Sequence, residues 1–255
     1  LNKASKYFML YTEERQSVIK PLAMDSSEGT GSMGDDTALA VVSSMPRQIY
    51  DFFRQQFAQV TNPPIDSLRE SAVMSLETCF GPELNIFEET PEHANRIVTS
   101  SPVLSHKKLN TLLKSKRFKS EEFKLVFSQN EALENALIKL SDKVKIAVKK
   151  GNVLIHLIEE LPEDNKLSIN ALLATGYIHQ QLINEGLRTD ANIIVSTASA
   201  RDTHSIACLI SYGATAVYPW LAFQSILDLT NKGELKGSPT ENCAKYRKGI
   251  NKGLL

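Results

Sequence analysis

ANIIVSTASARDTHSIACLISYGATAVYPW, residues 191–220, decides the fold of this chain. Asn192-Ile-Ile-Val-Ser196 is a short, continuously apolar, β-branched run, which suits a strand covered on both faces. Asp202 stands where it can cap a helix that turns Ile206 and Leu209 inward and ends at Gly213. Ala214-Thr-Ala-Val-Tyr218 is a second such strand, and Pro219 ends it. Upstream, Val153–Ile158 has the same apolar character. Ser168–Gly186 sets Ile169, Leu172, Leu173, Tyr177, Ile178 and Leu182 at helical spacing. Leu221–Asn231 is one more helical segment. Strands and helices alternating at this interval predict βα units on a parallel sheet.

The first part of the chain repeats the rhythm less regularly. Leu39–Val42, Arg96–Thr99 and Lys124–Ser128 are strand candidates. Arg47–Phe57, Ile65–Leu76, His106–Leu113 and Asn130–Lys149 are helix candidates, with Asn62-Pro63-Pro64 breaking the chain between the first two. The expected fold is therefore α/β, with parallel βα units forming an incomplete or degenerate TIM-barrel-like domain. An irregular part of about residues 1–105 precedes regular units over about 106–245.

Lysine plus arginine and aspartate plus glutamate both number 29 among 255 residues, so no net field attracts nucleic acid or an anionic membrane. No apolar run is long enough to span a bilayer, and the first residues lack a signal-peptide core. The chain does not begin with Met, so it is expected to be a piece of a longer protein. Cys79, Cys208 and Cys243 form no C-x-x-C pair, which argues against a zinc ribbon or a closely spaced cluster motif. Reduced, mostly buried thiols in the cytoplasm are expected. The lysines between Lys107 and Lys119, and those from Lys139 to Lys150, read as solvated faces diluted by nearby acids.

Candidate chemistry is sparse. Gly29 and Gly34 have the spacing of a phosphate loop, but Asp35 and Asp36 follow where Lys and a hydroxyl are needed, and two carboxylates repel phosphate. Ser196, Thr197, Arg201 and His204 fall at a strand end, where α/β folds place their sites. Their simpler account is a helix capped by Asp202 with a surface His204. His156 reads as a core histidine and His179 as a helix-surface one. No Ser-His-Asp grouping, G-x-S-x-G or H-E-x-x-H motif is found. The turn after Tyr218 is Pro-Trp-Leu-Ala, without the glycines of a flavin-phosphate loop. The residues predict no catalytic, cofactor-binding or metal-binding set.

Five stretches together carry a resemblance: GSMGDDTALAVVS (31–43), YDFFRQQFAQVTNPPIDSLRE (50–70), VMSLET (73–78), residues 172–222 with GLRTDANIIV at 186–195, and YRKGINKGLL (246–255). They resemble the central domain of the glutamate synthase large subunit. The resemblance implies a connector between a glutamine amidotransferase domain and an FMN-binding synthase domain, with a C-terminal β-helix domain beyond. It implies an FMN and an iron–sulfur cluster held by those other domains, and a small subunit or ferredoxin as reductant supplier. The parent enzyme makes glutamate from glutamine and 2-oxoglutarate, passing ammonia through an internal tunnel. The family's tunnel-wall positions fall on Met33, Gly34, Asp35, Asp36 and Thr37, and on Thr61 and Asn62. Residues 246–255 then start the connection to the FMN domain. The domain alone is expected to be inactive. The rival is a stand-alone flavin- or phospholigand-binding α/β protein using Ser196, Arg201 and His204. A third possibility is a module that docks through the Lys107–Lys119 face.

Overall fold

The computed structural model describes residues 1–29, 47–54, 69 and 72–255. Its strands in chain order are β1 (Thr78–Phe80), β2 (Ile97–Thr99), β3 (Lys119–Lys124), β4 (Val126–Ser128), β5 (Asn152–Ile158), β6 (Lys166–Ser168), β7 (Asn192–Thr197) and β8 (Ala216–Pro219). The helices are α1 (Asn2–Tyr7), α2 (Thr12–Glu14 and Lys20–Asp25, continuous through a π turn at Arg15–Ile19), α3 (His106–Leu113), α4 (Leu133–Lys149), α5 (Ala171–Asn184), α6 (Thr203–Ser211), α7 (Trp220–Asn231) and α8 (Pro239–Leu254).

Four strands lie side by side in the order β3-β5-β7-β8, every pair parallel. Chain order and spatial order coincide, as in a βα barrel; a doubly wound sheet would double back. Among the described residues the sheet stays open, so the fold is an incomplete barrel. Alternation along each strand splits the core in two. Phe123, Ile155, Leu157, Ile193, Val195 and Val217 join the core shared with the helices. Leu154, Ile194 and Ala216 face the other way, onto Phe80, Leu104, Leu109, Leu112 and Phe118. Burial on both faces is why β7 is apolar and why all six of its residues are buried. The free edge of β8 is continued by Val103, which bridges Val217 in parallel, while the Leu104 N–H donates to the Val217 carbonyl at 2.8 Å.

Several sequence expectations shift. Lys124–Ser128 covers only the end of β3 and then β4; KSEEFK at 119–124 hides a strand because β3 is an edge strand that buries only Phe123. The Arg96–Thr99 strand exists as β2, but it pairs antiparallel with β1, outside the parallel sheet. Arg47–Phe57 is no helix where it is described. Ile49–Phe52 is a 3-10 turn and Phe53 is extended. Tyr50 is buried and the Phe53 ring meets Tyr212 edge-on at 5.3 Å, so tertiary contacts set these aromatics. The strand expected at Leu39–Val42 and half of the expected Ile65–Leu76 helix lie outside the described residues; of the other half, Arg69, Ala72 and Val73 are helical and Met74, Ser75 and Leu76 are not. His179 is half-buried, not on an open surface: Arg188 Nε donates to its Nδ1 at 2.9 Å, and Gly213 (φ +108) leaves room for its ring. A Cβ on Gly213 would stand 2.3 Å from that nitrogen. Cys208 is buried and Cys243 half-buried, but Cys79 is exposed.

Candidate functional site

The C-terminal ends of β5, β7 and β8 meet where a barrel enzyme builds its site. The residue after β5 is Glu159, 1 % exposed. Its carboxylate accepts the backbone N–H groups of Ala171, Ala198 and Ser199 at 3.0, 2.8 and 2.9 Å. It also accepts the Thr197 and Ser199 hydroxyls, each at 2.8 Å. The Glu159 carbonyl accepts Trp220 Nε1 at 2.8 Å, so one residue ties together all three strand ends. Ala198 N, Ser199 N and Ala171 N (the last opening α5) are the type of donors that cradle a phosphate elsewhere. Here an internal carboxylate consumes them. The donor set does not fit a flavin phosphate while Glu159 is in place.

Residues from the chain's beginning cover this end. Arg201, 3 % exposed, donates from Nε and Nη2 to the two Glu14 carboxylate oxygens at 2.6 and 2.8 Å, and from Nη1 to the Phe8 and Ala198 carbonyls. Burial opposes the Arg201 charge, and the Glu14 carboxylate more than compensates, holding its pKa above the ordinary value. The Phe8 ring meets Trp220 edge-on at 6.1 Å. Tyr50 completes the lid: its hydroxyl lies 3.2 Å from Ser199 Oγ, and its carbonyl accepts His204 Nε2 at 3.0 Å. Burial first, then the Glu159 carboxylate, pushes the Tyr50 phenol well above its ordinary pKa. A cleft of about 330 Å³ remains beside Glu14, Arg47, Tyr50, Asp51 and Arg201. Its carboxylates have partners: Glu14 grips Arg201, Asp51 accepts the Gln48 N–H, and Asp202 caps the Ser205 N–H at 2.7 Å.

The structure thus gathers Thr197, Arg201 and His204 at one end and occupies each. Asp202 is the expected cap. His204 is half-buried under Tyr50, a contact from 154 residues away that local sequence does not announce. Ser196 belongs to the opposite sheet face. There His156 Nε2 lies 2.7 Å from Ser196 Oγ and His156 Nδ1 lies 3.3 Å from a Glu122 carboxylate oxygen. The sequence hid this Ser-His-acid row, because its members sit on three separate strands. Ser196 and His156 are 5 % and 4 % exposed, so no substrate carbonyl reaches the hydroxyl. The row is a satisfied core network, and burial, partly offset by Glu122, keeps the His156 pKa below 6.5. Burial, then Asp202, also raises the Cys208 thiol, which disfavours a thiolate nucleophile.

Glu159 was legible as a carboxylate ending an apolar strand. Tyr50, which meets Ser199, and Glu14, which grips Arg201, carried no local signal. Met33, Gly34, Asp35, Asp36, Thr37, Thr61 and Asn62 lie outside the described residues. Their neighbours are placed, however. Gly29 lies against the Ser17 carbonyl of α2, and Gln48 Nε2 donates to the Phe8 carbonyl at 3.0 Å. With Tyr50 on Ser199, the far flank of the segment is held at the C-terminal end of the sheet. Among the described residues, no group of three or more His, Cys, Asp or Glu is arranged to hold a metal ion. None of the described helices is long and apolar enough to cross a membrane.

A family model described as the glutamate synthase central domain matches residues 3–255. The chain belongs to that family. It is similar to one part of several glutamate synthase chains. It is 41 % identical over 260 residues to ferredoxin-dependent glutamate synthase 2, chloroplastic, of Arabidopsis thaliana, covering 96 % of this chain and 16 % of that protein. It is 38 % identical over 259 residues to the glutamate synthase [NADPH] large chain of Azospirillum brasilense, covering 100 % and 17 %. The Bacillus subtilis NADPH large chain is 35 % identical over 252 residues, covering 98 % and 16 %. This central domain therefore spans about one-sixth of the length of these relatives.

Proposed function

We propose that the chain is the connecting domain of a glutamate synthase large chain, working in the cytoplasm, and that it forms part of the wall along which ammonia passes between two catalytic domains. The observation that carries this is the family match over residues 3–255, combined with a strand end whose donors are already spent. Membership supports reading the chain as one module of an enzyme that uses glutamine and 2-oxoglutarate. The sealed end favours a scaffold over a module that binds its own phosphoryl cofactor, which is the chief objection to a stand-alone flavin protein. FMN and the iron–sulfur cluster belong, in this proposal, to neighbouring domains. Its partners are those domains, together with a small subunit or ferredoxin.

A path for ammonia must keep bulk water out, because the protonated form is lost to solvent. Such a wall wants backbone, small side chains and an adaptable apolar gate. Met33, with three rotatable bonds, suits the gate. Thr61 and Asn62 offer hydrogen bonds without charge, and Asp35 and Asp36 suit anchors between domains. The test is Met33→Trp in the full-length chain. Glutamine-driven glutamate formation is expected to fall at least about tenfold, a barrier of about 1.4 kcal/mol, while glutaminase activity and ammonia-driven synthesis persist. Unchanged glutamine-driven turnover would remove Met33 from the tunnel.

A further inference from the structure

Residues Gly81–Arg96 form a closed loop at the N-terminal end of the parallel sheet, opposite the sealed end. Its base is tied down. The Gly81 N–H donates to Asn192 Oδ1 at 2.7 Å, at the start of β7, and the Glu83 N–H donates to the Thr189 carbonyl at 2.8 Å. Arg96 Nη1 donates to the Gly81 carbonyl at 2.9 Å, closing the loop on itself, and its Nη2 reaches Glu83 at 3.2 Å. The tip is equally fixed. Asn85 accepts the Phe87 N–H at its side-chain oxygen and donates to Glu88, and His93 Nε2 donates to the Asn85 carbonyl at 3.1 Å.

This rigid turn displays Ile86 at 84 % and Phe87 at 90 % exposure, the highest of the large hydrophobic residues among the described residues. Tips of loops ordinarily carry small or polar residues. Val98, 51 % exposed, and its cross-strand neighbour Cys79 are also uncovered, on β1 and β2 at the base of the loop. Glu83, Glu88, Glu89 and Glu92 against Arg96 leave residues 83–96 with a net charge of −3, taking His93 as neutral. The ligand-like feature is therefore two adjacent apolar side chains in an acidic collar, prepaid in conformational entropy by the hydrogen bonds that fix their turn.

We propose that Ile86 and Phe87 are a docking plug, seated in an apolar socket edged by lysine or arginine on another domain of the same long chain. The inference rests on the proposed place of this chain within a larger synthase. Its relatives hold about five-sixths of their length outside the matched region, so a covering domain is available within one polypeptide. Tethering raises its effective concentration far above that of a separate partner. The collar requires a positive rim, since a second acidic surface would repel it.

The test places p-benzoylphenylalanine at position 87 of the full-length chain, irradiates it and maps the linked peptide by mass spectrometry. The expected product is one dominant intramolecular link to a peptide outside these 255 residues that carries lysine or arginine. Glu88→Lys with Glu89→Lys should lower its yield at least threefold, and Glu134→Lys, distant in the chain, should leave it unchanged. No link above the solvent-quenched background, in a protein that still makes glutamate from glutamine, overturns the plug and leaves the family function standing. A link to a second copy of the chain also overturns it. An intramolecular link in a protein without glutamate synthase activity upholds the plug and counts against the proposed function.

Discussion

At the C-terminal end of the parallel sheet, polar groups abound and hardly any of the surface is left to offer. At the N-terminal end, a loop fixed by its own hydrogen bonds holds a phenylalanine out to water. In a barrel enzyme the contrast runs the other way, because there the C-terminal end is open chemistry and the opposite end serves stability. In this chain Glu159, Arg201, Tyr50 and the first helices have turned the chemical end into a keystone, and Ile86 and Phe87, the most exposed large apolar side chains among the described residues, are at the structural end. A frame suited to catalysis can thus be kept for its rigidity while its working surface moves elsewhere.

The sharpest way to break this contrast is Glu159→Ala. It strands three buried N–H groups and two hydroxyls, and should cost about 3–5 kcal/mol, read as a fall in the urea midpoint. A loss below about 1 kcal/mol would mean that water replaces the carboxylate and that the keystone description is wrong. The second test concerns the row on the other sheet face. Burial, partly offset by Glu122, holds His156 below 6.5 in the folded chain. The unfolded chain then binds that proton more readily, so stability is complete above about pH 6.5 and falls as pH drops toward the lowered folded value. His156→Gln should flatten part of that fall between pH 7 and 5, with His179, lowered by burial and then by Arg188, supplying a remainder. An unchanged slope would assign the acid sensitivity elsewhere. The smallest effect is expected at the open end. Ile86→Ser with Phe87→Ser should shift the urea midpoint of this chain by no more than about 0.5 kcal/mol equivalent, since neither side chain is buried. A larger loss would show that the loop supports the fold itself.

The regular half was readable because β5, β7 and β8 are covered on both faces and are mostly apolar, with His156, Ser196 and Thr197 hydrogen-bonded where they are not. Asp202 and Gly186 punctuate it with local chemistry that needs no tertiary context. The edge strand β3 escaped because one buried residue in six leaves no periodic signal. The final helix α8 was missed although Ser238 and Glu241 form a capping box over Pro239, a signature that sequence does offer. The site was legible only on one side. Thr197, Arg201 and His204 announce a strand end, but Glu14, Tyr50 and Phe8 reach them across most of the chain, and no pattern within a segment encodes such an encounter.

The ion pair between Glu14 and Arg201 joins residues 187 positions apart. On the ribosome, Phe8, Ile19, Leu22 and Ala23 therefore emerge without the surface that will bury them. At ordinary translation speeds their counterparts arrive roughly 10–40 s later. During that interval the nascent segment carries its apolar face uncovered, and protease resistance of the domain is expected only once the last helix, with Tyr246 and Ile250, has left the exit tunnel.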